Sequence, residues 1–471
     1  MSSPKIATNI YSKISYKISF PFLICSIVTA IAPVPAQALQ FNFTYAPDTT
    51  VEQMVGFEMA GRIWSNYLTD DVTVNIHVEM ANGMEKNVIG GALTGWQAQE
   101  KYGDFVNSLN GDRKSTDDYN ATNNLATKHD EKDEKKFNAF IDRRNNPYGD
   151  TLLKDLGHIN ITNANAKALG MRKEDSDIDA LDGYIRLNNI GGIWNYDFSN
   201  PEIPQDKLDF LSVATHEIGH ILGFASGVDA PGWLSAIEGA KNDPKKKKKI
   251  DGKKAKYFSP LDRFRYSSDS ANATSCNKDD CEKGLPDLSI GGTKYFSLDR
   301  GVTSLGEFST GEGGLFDSDG NQASHWKDLP DSLGIMSPLL KKGVRQKISA
   351  LDIRALDVIG WDVNNVGVGI TQEEWERFYS EALEDAKNVS ERFNPTEDIN
   401  KMIKESKIYE LNYEWGYGGC YYYPCTNIWQ KEFLLWQKVD RTSIPEADNS
   451  IALVAFGLLG MAAYCKNRKI L

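Results

Sequence analysis

The sequence predicts an α+β fold, and three stretches carry that expectation. Val72, Val74, Ile76 and Val78 alternate with Thr73, Asn75 and His77, the period-two pattern of a strand. Between 211 and 222, Leu211, Ala214, Ile218, Ile221 and Leu222 recur at helical spacing, an apolar flank for packing on a sheet. A third stretch, 371–392, places Trp375, Phe378, Tyr379 and Leu383 on one face behind a Thr371/Glu374 capping box.

Taken in order, the chain opens on what reads as an export signal. Lys5, Lys13 and Lys17 precede an apolar run over 20–32, and Ala36-Gln37-Ala38 offers a small-x-small cleavage site. Pro33 and Pro35 break the run, which favours a cleaved leader over a membrane span. Residues 50–68 then read as a helix with Val55, Met59, Ile63 and Trp64 on one side. In the strand that follows, His77 falls on the polar side, as a hydrogen-bonding surface histidine. Residues 107–144 are densely charged and rich in Asn, the composition of a solvated, partly helical excursion. A second strand reads over 182–190, and Trp194 and Tyr196 follow in a Gly-rich loop.

The helix that follows starts behind Pro204, with Asp206 as its N-cap, and stops at Gly223. A long insertion comes next. Its lysines at 245–249, 253, 254 and 256 read as a solvated loop. Short strands are expected at Tyr295-Phe-Ser297 and Gly306-Glu-Phe-Ser309. Asp317, Asp319 and Asn321 resemble half of a calcium loop; the bidentate glutamate is missing, so a plain Asp/Gly turn is preferred and calcium is the weaker expectation. A Tyr/Trp-rich segment occupies 413–436.

Composition narrows the function. The 471 residues carry a net charge of −12, a poor match to nucleic-acid binding. Of six cysteines, four form two close pairs, Cys276 with Cys281 and Cys420 with Cys425, candidate local disulfides of an oxidising compartment. Neither pair has C-x-x-C spacing, which argues against a second zinc site. At the far end, Pro445-Glu446, an apolar run over 451–464 and Lys466, Arg468 and Lys469 follow one another. That order resembles the PEP-CTERM sorting tail of exported bacterial proteins, with Ala447 where a second proline is usual; the alternative is a C-terminal membrane anchor. Both readings tie the chain to an envelope.

The chemistry concentrates at His216-Glu217-Ile218-Gly219-His220. On a helix, histidines four apart share one face and can hold one metal ion, and the intervening glutamate can take a proton from water. This is the H-E-x-x-H pattern of zinc hydrolases. A catalytic zinc needs a third protein ligand. The extended pattern H-E-x-x-H-x-x-G-x-x-H would put a histidine at 226, where this chain has Ser226. Four groups remain: Asp229, at the wrong offset; Glu238, near the spacing of thermolysin-like enzymes; His158, in no motif; and His325.

The context of His325, Gln322-Ala-Ser-His-Trp326, with Met336 in Leu333-Gly-Ile-Met-Ser-Pro338 and residues 348–361 beyond it, resembles the metzincin clan. The likeness is to the leishmanolysin-like branch, in which a large insertion separates the helix from the third histidine. It implies zinc held by His216, His220 and His325, Glu217 as general base and Met336 as the floor beneath the ligands. It also implies that the strand near 185–189 is the edge that pairs with an extended peptide. Pro338 stands two residues after Met336, so an extra tyrosine ligand is not expected.

The resemblance further implies a metzincin-like catalytic domain, a twisted mixed sheet with an active-site helix and a Met-turn subdomain, followed by a C-terminal helical appendage. The expected organisation is a signal peptide (1–38), an N-terminal catalytic subdomain (39–224), a C-terminal catalytic subdomain with the insertion and Met-turn (225–364), a helical appendage (365–442) and the sorting signal (443–471). The expected activity is that of an exported zinc endopeptidase acting on protein or peptide substrates. Its alternatives are a zinc hydrolase of another envelope polymer and an inactive surface-binding protein. Between 39 and the motif there is no cysteine, so a cysteine-switch form of latency is not expected.

Overall fold

The computed structural model describes residues 39–392, apart from 83, 85–87, 126–127, 130–133, 173–180, 242–249, 251–256, 278–279, 312–314 and 365–368, together with 435–439. The expected signal peptide, the lysine run at 245–249, Cys420, Cys425 and the sorting tail lie outside those residues. Among the described residues no helix is long and apolar enough to cross a membrane.

The architecture is mixed α+β, organised on one six-stranded sheet with several smaller ones beside it. β1 (Gln40–Tyr45), β2 (Thr73–Ala81) and the strand Gly183–Asn188 run parallel. β3 (Val88–Thr94) lies antiparallel against Gly183–Asn188, so that strand is interior. The expectation that 185–189 forms the peptide-pairing edge is therefore corrected. The turn after β2 folds β3 back over that strand and covers its hydrogen-bonding groups. Beyond β3 the sheet continues with Leu435–Val439 and Leu339–Leu340.

One face of the sheet is covered by α1 (Val51–Tyr67) and by the helix Phe210–Ile221, called here the site helix. A Thr50/Gln53 capping box starts α1, whose Val55, Met59, Ile63 and Trp64 are buried as their spacing required. Trp64 donates its indole N–H to the Thr215 carbonyl at 2.9 Å, and Phe57 meets Phe210 edge-on at 5.7 Å; together they clamp the two helices.

Four further expectations need revision. His77 is buried, held by Thr44 Oγ1 at 2.9 Å and against the Tyr184 ring, because β2 has a strand on each side, β1 and Gly183–Asn188, whose residues opposite His77 cover its ring. The excursion 107–144 ends in a core strand, Lys135–Phe140, whose Phe137 and Ala139 are fully buried. The N-cap of the site helix is Asp209, not Asp206: its carboxylate accepts from Ser212 N at 3.1 Å and pairs with Arg345 at 2.9 Å. Finally, the described parts of the expected appendage, 369–392 and 435–439, are not separate from the rest of the fold. Gln372–Arg392 packs on α1, with Phe378, Ala382 and Ala386 in the common core and Arg62 paired to Glu381 and Asp385, while 435–439 joins the main sheet.

Two local expectations stand. Lys294–Phe296 and Gly306–Phe308 pair as short antiparallel strands. Cys276 and Cys281 are joined across a hairpin. At the calcium-like turn, Asp319 accepts from Thr310 N and Asn321 N, and Asp317 faces Arg144, so both carboxylates are engaged within the turn's own surroundings.

Candidate metal centre

The site helix carries His216, Glu217 and His220, all fully buried. Gly223, at φ +117°, ends it just beyond Leu222, a backbone angle that side-chain-bearing residues rarely take. The chain then turns through Ala225-Ser226-Gly227. Ser226, at the position where the extended motif has histidine, donates its hydroxyl to Asp262 and its backbone N–H to Ser324 Oγ at 2.8 Å. Asp229 accepts from Ala323 N at 2.7 Å. These bonds fasten the loop after the helix to residues 323–324 and so deliver the next residue, His325, to the helix.

There the three imidazoles meet. His216 Nε2 lies 3.1 Å from His220 Nε2 and 3.2 Å from His325 Nε2. The far nitrogen of each ring faces a backbone carbonyl: His216 Nδ1 to Ile335 O at 2.7 Å, His220 Nδ1 to Phe224 O at 2.7 Å, His325 Nδ1 to Gln322 O at 3.1 Å. A carbonyl only accepts, so each Nδ1 carries the proton and each Nε2 presents a lone pair. Three lone pairs converging at this separation repel one another unless a cation lies among them. Among the described residues this is the group of three able to hold a metal ion. Burial pushes the His216 pKa down to about 4, and burial with the neighbouring His216 and His325 pushes that of His220 well below its ordinary value, so the neutral, metal-binding form is kept.

The rival third ligands fall away on geometry. Asp229 braces the 323 loop, while Glu238 and His158 are exposed and outside the cluster.

Met336 packs directly beneath. A Cβ at Gly219 would sit 2.4 Å from Met336 Sδ, so the glycine between the two histidines admits the sulfur. The backbone around Met336 is tied to both ligand-bearing segments: Ile335 O accepts from His216, and Met336 O accepts from Trp326 N at 3.0 Å. Trp326 is fully buried and stacks on Phe308 at 4.8 Å.

No family model, curated protein or solved structure matches the chain. The site therefore rests on its own geometry.

Two contributors escaped the sequence reading. Asp352 is fully buried and accepts from Trp326 Nε1 (2.8 Å), Ile335 N (2.9 Å), Met336 N (3.2 Å) and Ser349 N (2.7 Å), locking the Met336 turn to the His325 strap. The Ser349-x-x-Asp352 spacing signals the helix cap at Ala350–Asp357 but not the other bonds. Gly90 on β3 is the second. A Cβ there would lie 2.7 Å from Glu217 Oε1, so the glycine lets β3 approach the carboxylate. The Gly90-Gly91 pair was visible in the sequence as a sign of close backbone approach.

Proposed function

We propose that this chain is a zinc-dependent endopeptidase of metzincin type, with His216, His220 and His325 as the metal ligands and Glu217 as general base. The observation that carries the reading is the convergence of three carbonyl-anchored imidazoles, one from more than a hundred residues beyond the helix, around one point on the helix that also carries Glu217. Nitrogen ligands about 2.0–2.1 Å from a tetrahedral zinc stand about 3.3 Å from one another; the separations of 3.1 and 3.2 Å fit that set. Three neutral ligands suit a hydrolytic zinc, which when bound brings the pKa of a coordinated water to about 7 and polarises a carbonyl.

Glu217 follows His216 directly, and its carboxylate faces β3 at Gly90. Held there, it takes the proton from the attacking water and returns it to the departing amine. The main-chain groups on the outer side of β3, where 435–439 pair, are those an extended peptide would use to add to the sheet and bring a carbonyl to the same place. Met336 and Asp352 keep the ligand-bearing segments in register and touch no substrate. Export to the cell envelope, proposed from the leader and the tail, agrees with the Cys276–Cys281 disulfide.

The test is zinc stoichiometry by elemental analysis together with hydrolysis of a casein-type substrate. About one zinc per chain and proteolysis abolished in Glu217→Ala are expected. A zinc-loaded native chain that hydrolyses neither casein nor unstructured peptides, with its groove accessible, overturns the peptidase reading.

A further inference from the structure

Resting on the peptidase reading, we propose that residues 435–439 of this chain occupy its own substrate groove. The strand Leu435–Val439 adds to the outer edge of β3 in antiparallel register, with Leu435 opposite Ala92, Trp436 opposite Gly91 and Gln437 opposite Gly90. Its last two residues pair in parallel with Leu339 and Leu340, which follow closely on Met336. The strand thus lies between β3, which faces Glu217, and Leu339–Leu340, which follow Met336, and it runs alongside the site helix.

The register is specific. It shifts between Gln437 and Lys438, and beyond the shift Lys438 stands between Val88 of β3 on one side and Leu339 on the other. Gln437 is the partner of Gly90, the residue whose missing Cβ makes room for Glu217. Neighbouring strands lie about 4.8 Å apart, so the main chain at Gln437 takes the place an extended substrate needs. A peptide arriving from solution would require the same row of N–H and C=O groups on β3, and one edge accepts one strand. Tethering favours the resident: a segment linked to its site competes at an effective concentration on the order of millimolar, well above that of a dilute substrate. In a chain with no cysteine between 39 and the motif, this occupancy supplies latency.

The experiment uses the full, zinc-loaded chain and the double variant Trp436→Pro/Gln437→Pro. Proline has no N–H, and replacing both residues removes whichever donor faces β3. Seating is read independently of activity, in the Glu217→Ala background, by hydrogen–deuterium exchange of amides 88–92. These should exchange at least tenfold faster in the proline variant while zinc stoichiometry stays unchanged, which shows that the fold is intact. In the active background, hydrolysis of added peptide should rise several-fold in the proline variant and fall again on adding a synthetic peptide of residues 433–441. Self-cleavage at 436–438 in the native chain would equally place the strand at Glu217. Equal exchange at 88–92 with and without the prolines overturns the proposal, whatever the proteolytic activity. So does faster exchange with no change in turnover of an active enzyme. Protected amides in a chain that hydrolyses no peptide in either form would instead sink the peptidase reading and leave the seated strand in place.

Discussion

Two regions of this molecule bury histidine and differ in what they do with it. His77 sits within the parallel part of the main sheet, with Thr44 and Tyr184 as neighbours, and burial pushes its pKa down to about 4. His216 is equally buried, and burial pushes its pKa down to about 4 as well. A lowered pKa therefore does not separate a structural histidine from a ligand. What separates them is direction. At His77 a hydroxyl meets one ring nitrogen, whereas at His216, His220 and His325 backbone carbonyls hold every Nδ1 and turn every Nε2 to one point.

Breaking that direction should give the largest effect. His325→Ala removes one of the three proposed ligands and should abolish stoichiometric zinc, whereas His77→Asn should leave zinc content unchanged. Elemental analysis of the two variants is the check, and equal zinc in both would erase the distinction. Glu217→Ala should retain zinc yet lower kcat by about 10²–10⁴, the range for loss of a general base, as read by peptide turnover at saturating zinc. Asp352→Ala touches no ligand but frees the Met336 turn, and should weaken zinc affinity by about 10–100-fold, as outer-shell losses do; competition with a chelator measures it. Met336→Ala should cost about 2–5 kcal/mol of stability, read from denaturant midpoints.

Acidity sharpens the comparison further. Because burial depresses His77, the stability it contributes is complete above its ordinary pKa of 6.5 and is lost as pH falls from there toward about 4. His77→Asn should flatten the thermal midpoint across that window. The opposite sign holds at Asp70, raised to about 8 by burial and by Asp362. Its unfolded form ionises above about 4 while the folded form keeps the proton, so stability falls between pH 4 and 8. Asp70→Asn should accordingly raise the midpoint at pH 8 and leave it unchanged at pH 4.

Legibility followed the range of the interactions. The α1 helix, the β2 strand, the capping box at Thr371 and the stop at Gly223 were readable because periodicity and caps act within a few residues. Asp209 displaced Asp206 as N-cap because Arg345, more than a hundred residues away, fixes its carboxylate. The interior position of Gly183–Asn188 was hidden because strand order depends on how β3 returns over it, and alternation alone does not encode neighbours.

The sequence by itself determined the pair His216 and His220, the glutamate between them and the helix that carries them, since their spacing matches one helical turn. Only the tertiary structure decided the rest. It brought His325 to the pair through Ser226, Asp229 and Asp352, set Met336 under Gly219, and laid residues 435–439 along β3. Those contacts join residues tens to hundreds of positions apart, and they exist only once burial of the common core has brought the segments together.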